Sequence, residues 1–89
     1  MEDKELIKKL IPLLLDGRSS GNGIMWKLSI KSTLEIFKLF NSNDIEKIDR
    51  EMVKIAHNYP ELFEIYGITI FGKSYLEYRG HMIYLRGDA

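Results

Sequence analysis

The chain has 89 residues, of which 45% are hydrophobic and 29% are charged, a composition typical of a folded globular protein rather than a disordered one. Thirteen basic residues balance thirteen acidic ones, and this net charge of zero argues against a protein whose main task is to hold a nucleic-acid backbone. The absence of cysteine excludes disulfides, thiolate metal ligands and a cysteine nucleophile. The length predicts a single domain over residues 1–89, to which the elements below assign the α+β class, and so small a core would gain stability from forming a homodimer.

The N-terminal segment predicts a helix, because residues 2–15 carry an apolar stripe at helical spacing with lysines on the opposite side. Pro12 predicts a kink or a fresh turn in this helix, and Gly17 suits the position just past its end. Acidic residues stand where a secretory leader would be basic, and no stretch approaches the ~20 apolar residues of a membrane span. We therefore expect a cytoplasmic protein without a membrane segment.

A glycine-rich loop over residues 17–23 leads into a segment with strand-like alternation. It lacks the Lys-Ser or Lys-Thr pair that a phosphate-binding loop needs after its last glycine. Residues 24–31 then alternate in the manner of a half-buried strand. The apolar positions of that alternation are Ile24, Trp26, Leu28 and Ile30.

Two helices follow this predicted strand. Ser32 and Glu35 form a capping-box pattern that predicts a helix over residues 33–40, although Ile and Phe in the same segment also favour a strand. A sustained apolar stripe predicts the next helix over residues 44–58. We expect that helix to end there because the residue before Pro60 avoids helical geometry.

The remaining segments predict strands and complete the order α-β-α-α-β-β. Residues 68–70 predict a short strand, and residues 74–78 and 81–86 predict a C-terminal hairpin around a two-residue Arg79–Gly80 turn. In that register Tyr75 lies opposite Tyr84, on the face that the aliphatic residues leave free.

The free face of the predicted hairpin has the composition of a contact surface, because tyrosine, methionine and arginine are enriched at protein interfaces. An aromatic cross-strand pair also stabilises a hairpin by roughly 0.2–1 kcal/mol whatever its function. The predicted protein-contact residues are Tyr75, Tyr84, Met82 and Arg86. We expect a small non-enzymatic regulatory or accessory protein that acts through a protein partner and self-associates as a dimer. Its size and its many Ile, Lys and Asn residues would suit a protein encoded by a phage or mobile element.

The alternative is a winged-helix DNA-binding transcriptional regulator, since the predicted element order is that of a winged helix. Residues 33–40 and 44–58 would then form the helix-turn-helix, with the hairpin as the wing. Acidic residues on the second of these helices weaken this hypothesis because they would face phosphates. The predicted nucleic-acid-binding residues are Lys47, Arg50, Lys54, Lys73 and Arg79.

Catalysis has little support in the sequence. His57 and His81 are the two histidines, and they are far apart in the chain without a regular carboxylate partner. We therefore expect both to be structural, with no catalytic residues, no metal site and no cofactor. The Arg-Gly-Asp tripeptide at residues 86–88 is expected to be a short polar tail.

Overall fold

The computed structural model describes residues 2–18, 26, 28–73 and 76–86. It has an α+β fold in which three helices precede a two-stranded antiparallel hairpin, so the predicted fold class is confirmed. Among the residues described, no helix is long and apolar enough to cross a membrane. The elements are α1 (Asp3–Arg18), α2 (Ile30–Phe40), α3 (Ile45–Asn58), β1 (Phe63–Lys73) and β2 (Leu76–Leu85).

Helix α1 is longer than its apolar stripe suggested. Pro12 lies inside it, and the helix continues through Gly17 to Arg18, so the prediction that Gly17 follows its end was wrong. Leu10 and Leu14, one helical turn apart, are completely buried in the core. The apolar stripe of α1 therefore packs against the rest of the fold at these positions, whereas Leu15 of the same stripe is 46% exposed.

The strand predicted over residues 24–31 is not formed by the described residues of that segment. Ser29 is the N-cap of α2, and its hydroxyl accepts a hydrogen bond from the backbone N–H of Ser32. Trp26 and Leu28 are buried, whereas Ile30 opens the helix and is 69% exposed. The alternating pattern of the sequence reflects Trp26 and Leu28, which a loop inserts into the core. The N-cap of α2, Ser29, lies three residues before the predicted cap Ser32.

Helix α3 confirms the prediction from its stripe almost residue for residue. Asp44 is its N-cap and accepts a hydrogen bond from the backbone N–H of Lys47. The helix ends at Asn58, two residues before Pro60. Its inner face is fully or nearly fully buried and consists of Ile48, Met52, Ile55 and Ala56.

The hairpin differs from the predicted one in both its turn and its register. Arg79 and Gly80 lie within β2, opposite Ile70 and Thr69 of β1, so the prediction of a turn at these two residues was wrong. The physical reason is that β1 begins at Phe63, well before the short strand expected from the sequence. Pairing from Phe63 onward buries the first part of the hairpin in the core and moves its turn beyond Lys73.

A β-bulge interrupts the pairing between Ile65 and Ile68. Two β1 residues, Tyr66 and Gly67, therefore stand opposite the single residue Met82 of β2. The bulge resets the alternation of β1, so that residues on either side of it face the same way although their numbers differ in parity. Phe63, Ile65, Ile68 and Ile70 thus share one face with Ile83, and this face is buried at Phe63 but exposed at Ile68 and Ile70.

Candidate functional site

Two tyrosine rings lie together on the hairpin face opposite the one that carries Ile83. The rings of Tyr66 and Tyr84 are 5.1 Å apart and meet edge to face at 73°. Tyr66 is 50% exposed, and Tyr84 is partly buried against the core. Tyr66 follows Glu64 by two residues, so strand alternation places it on the same face as Glu64 and as Tyr84, the residue opposite Glu64.

Glu64 and Arg86 lie beside this ring pair, and hydrogen bonds join Glu64 to Tyr66 and to Arg86. The hydroxyl of Tyr66 donates a 2.7 Å hydrogen bond to Glu64 Oε2, and Arg86 Nη1 donates a 2.6 Å bond to Glu64 Oε1. Arg86 Nε also donates to the backbone carbonyl of Pro60 at 2.6 Å. The hydrogen bond to Glu64 raises the pKa of Tyr66 above its ordinary value, and the negative charge of Glu64 adds to this effect. We call Tyr66, Tyr84, Glu64 and Arg86 the tyrosine cluster.

The structure brings together some of the predicted contact residues and separates others. Tyr84 and Arg86 both belong to the tyrosine cluster, and Met82 is half-buried against the core. The predicted pairing of Tyr75 with Tyr84 was wrong, because the residue opposite Tyr84 is Glu64. Tyr75 itself lies outside the described residues. Sequence reasoning missed Tyr66, whose position could be found only from a strand that starts at Phe63.

The predicted nucleic-acid-binding residues fall into one group on α3 and one on the hairpin. Lys47, Arg50 and Lys54 are exposed on one side of α3, at spacings of three and four residues. Arg50 and Arg79 line the same small cleft of 210 Å³ between α3 and the hairpin, together with Glu46 and Asp49. The side chain of Lys73 lies outside what the structure describes.

A buried carboxylate joins α3 to β2 and to the loop before α2. Asp49 accepts hydrogen bonds from Trp26 Nε1 at 2.9 Å and from the backbone N–H of His81 at 2.8 Å. The Nδ1 atom of His81 lies 2.6 Å from the second oxygen of the same carboxylate. Gly80 allows this close packing, because a Cβ atom there would lie 2.6 Å from the ring of Trp26.

His81 thus has a carboxylate partner that the sequence analysis did not identify, since Asp49 is 32 residues away in the chain. A histidine held by a carboxylate through Nδ1 is the geometry that general bases use. Asp49 instead hydrogen-bonds to Trp26 and to His81, and so it connects α3 with the loop before α2 and with β2. This arrangement stabilises the packing of these three segments. Within the described part of the chain, no three His, Asp or Glu side chains are grouped so that they could hold a metal ion.

We call the contacts of Asp49 with Trp26 and His81 the Asp49 junction. Comparison with known proteins adds no information on this junction or on the tyrosine cluster. No protein-family model, curated protein or solved structure matches this chain.

Proposed function

We propose that this protein is a non-enzymatic regulatory or accessory protein of the cytoplasm that acts through protein contacts, binding a partner at the tyrosine cluster and pairing with a second copy of itself. The observation that carries the proposal is the half-exposed Tyr66 ring, held by Tyr84 on one side and by Glu64 through its hydroxyl. Interface hot spots are enriched in tyrosine and arginine.

Preorganisation supports this use of the tyrosine cluster. Ordering a rotamer-rich side chain on binding costs about 0.5–1.5 kcal/mol, and a side chain that is already fixed in the free protein avoids that cost. Tyr66 is fixed by a ring contact and a hydrogen bond, and Arg86 is fixed by Glu64 and Pro60. A partner would meet a rigid aromatic centre with a charged rim, which is the usual arrangement of a contact surface.

The double variant Tyr66→Ala with Tyr84→Ala tests the contact surface. The matched control is Leu15→Ala with Leu34→Ala, which removes two exposed apolar side chains from α1 and α2 instead. Both tagged variants and the wild type are used to capture proteins from the source cells, and the captured proteins are quantified by mass spectrometry. We expect the tyrosine variant to lose a partner that the control retains. Equal capture by all three folded proteins would refute the assignment of the tyrosine cluster.

DNA binding by a winged helix is the second candidate, and the shared cleft of Arg50 and Arg79 is the observation that favours it. Lys47 and Lys54 would add phosphate contacts from the same helix. Against it, Glu46 lines the same cleft, and the described residues between α1 and α2 include no strand. Binding to duplex DNA that weakens steeply as salt rises would establish this alternative.

A further inference from the structure

The outer edge of β1 is a strand edge with no partner among the described residues, since the hairpin is a two-stranded sheet. Two of its side chains beyond the bulge are apolar and exposed, Ile68 at 56% and Ile70 at 64%. Soluble proteins usually protect such an edge with charges, proline or a covering element, because its free backbone groups can pair with another strand. An exposed apolar edge of this kind is typical of a surface that another strand covers.

The hydrogen bond from the His81 N–H to Asp49 shows which backbone groups of β1 point outward. In an antiparallel pair, opposite residues alternate between pairs that exchange hydrogen bonds and pairs that do not. The N–H of His81 is directed at Asp49, away from β1, so His81 and its partner Ile68 form a pair without exchanged bonds. The backbone groups of Ile68, and of Ile70 two residues on, therefore point out of the free edge of β1.

This outward pattern is self-complementary about Thr69. If a second β1 strand lies antiparallel with Thr69 opposite Thr69, each Ile68 stands opposite the Ile70 of the other copy. Both residues of each such pair direct their N–H and C=O groups at the other strand, so four hydrogen bonds form across the centre. The four isoleucine side chains fall on one face, where β-branched cross-strand neighbours stabilise a sheet.

We propose that two copies of this chain join their β1 edges antiparallel about Thr69 and form a continuous four-stranded sheet. The proposal rests on the self-association that forms part of the proposed function, and it names the surface. Net charge does not oppose it, because the chain carries as many acidic as basic residues. Arg79 lies across β1 from the new seam, opposite Ile70, so the two copies of this arginine are separated by both β1 strands.

A single cysteine at the centre of the seam tests the geometry, since the chain has no cysteine of its own. Opposite residues that do not exchange hydrogen bonds have Cα atoms about 4.5 Å apart, within the range of about 4.4–6.8 Å that a disulfide requires. We expect Thr69→Cys to form a covalent dimer under mild oxidation at micromolar concentration. The control Leu34→Cys, at another exposed position on α2, should stay largely monomeric on a non-reducing gel. Equal cross-linking of the two variants would overturn the proposal.

Ile70→Pro provides a second test that keeps the hairpin intact. Proline removes only an outward N–H, which edge strands tolerate, and so leaves the β1–β2 hydrogen bonds in place. We expect folded Ile70→Pro to sediment as a monomer at concentrations where the wild type is a dimer. A dimeric Ile70→Pro would overturn the seam but leave self-association standing, whereas a monomeric wild type would overturn the seam and that part of the proposed function together. Partner capture through the tyrosine cluster is measured separately and can fail without affecting either result.

Discussion

Replacing Gly80 with alanine tests the packing at the Asp49 junction, because the new methyl group would lie 2.6 and 2.7 Å from Cδ1 and Nε1 of Trp26. Ordinary carbon contacts are about 3.5–4.0 Å, so the ring must move by about 1 Å. Overpacking of this kind costs about 1–3 kcal/mol. The movement also strains the 2.9 Å hydrogen bond from Trp26 to Asp49, and hydrogen bonds to charged groups contribute about 1.5–3 kcal/mol.

We therefore expect Gly80→Ala to lower the free energy of unfolding by about 3–5 kcal/mol, a large fraction of the ~5–15 kcal/mol typical of a folded protein. Urea denaturation followed by fluorescence measures it directly, since Trp26 is the only tryptophan in the chain. The matched control is Gly67→Ala, because a Cβ atom at Gly67 meets nothing within 4 Å. It should change stability by no more than about 1 kcal/mol. A Gly80→Ala protein as stable as Gly67→Ala would refute the reasoning about the junction.

Three further changes test other parts of the fold. Asp49→Ala should cost ~3 kcal/mol or more in urea denaturation, because it leaves two buried or half-buried donors without their acceptor, whereas the exposed Glu51→Ala should cost less than about 0.5 kcal/mol. Asp44→Ala removes the N-cap of α3 and should cost about 1 kcal/mol in the same assay, and Asp44→Asn should largely restore it. Burial raises the pKa of Tyr78 above its ordinary value of 10.0, so its contribution to stability is present below pH 10 and is lost as the pH rises through the raised value. Tyr78→Phe should therefore lose less stability than the wild type above pH 10, as measured by thermal melts across that range, and an identical loss would contradict this.

Local signals were sufficient to predict the second and third helices. A sustained 3.6-residue stripe predicts α3, and the residue before Pro60 disfavours its extension, whereas its N-cap, Asp44, did not follow from the stripe. The described residues of the segment 24–31 do not form the predicted strand, because alternation shows only which side chains are buried, not the backbone that carries them. Trp26 and Leu28 are buried from a loop, and the hydroxyl of Ser29 starts a helix where the sequence pattern continued as a strand.

The hairpin and the junction depended on contacts that no local pattern contains. Glycine at position 80 is typical of a turn. In this fold Gly80 lies in β2, and its lack of a side chain lets Trp26 and Asp49 approach the strand. Asp49 is 32 residues from His81 and 23 from Trp26, so nothing in the spacing indicates that they meet. The position of Tyr66 beside Tyr84 follows from the start of β1 at Phe63 and from the register of its pairing with β2, neither of which a local pattern indicates.

Light scattering coupled to size exclusion, with and without a random duplex DNA at low salt, tests the central claim that this protein acts through protein contacts. We predict a dimer of twice the 10.4 kDa chain mass, with an elution volume and mass that the DNA does not change. A monomer that joins the DNA at low salt and leaves it as salt is raised would contradict the claim and establish the DNA-binding alternative.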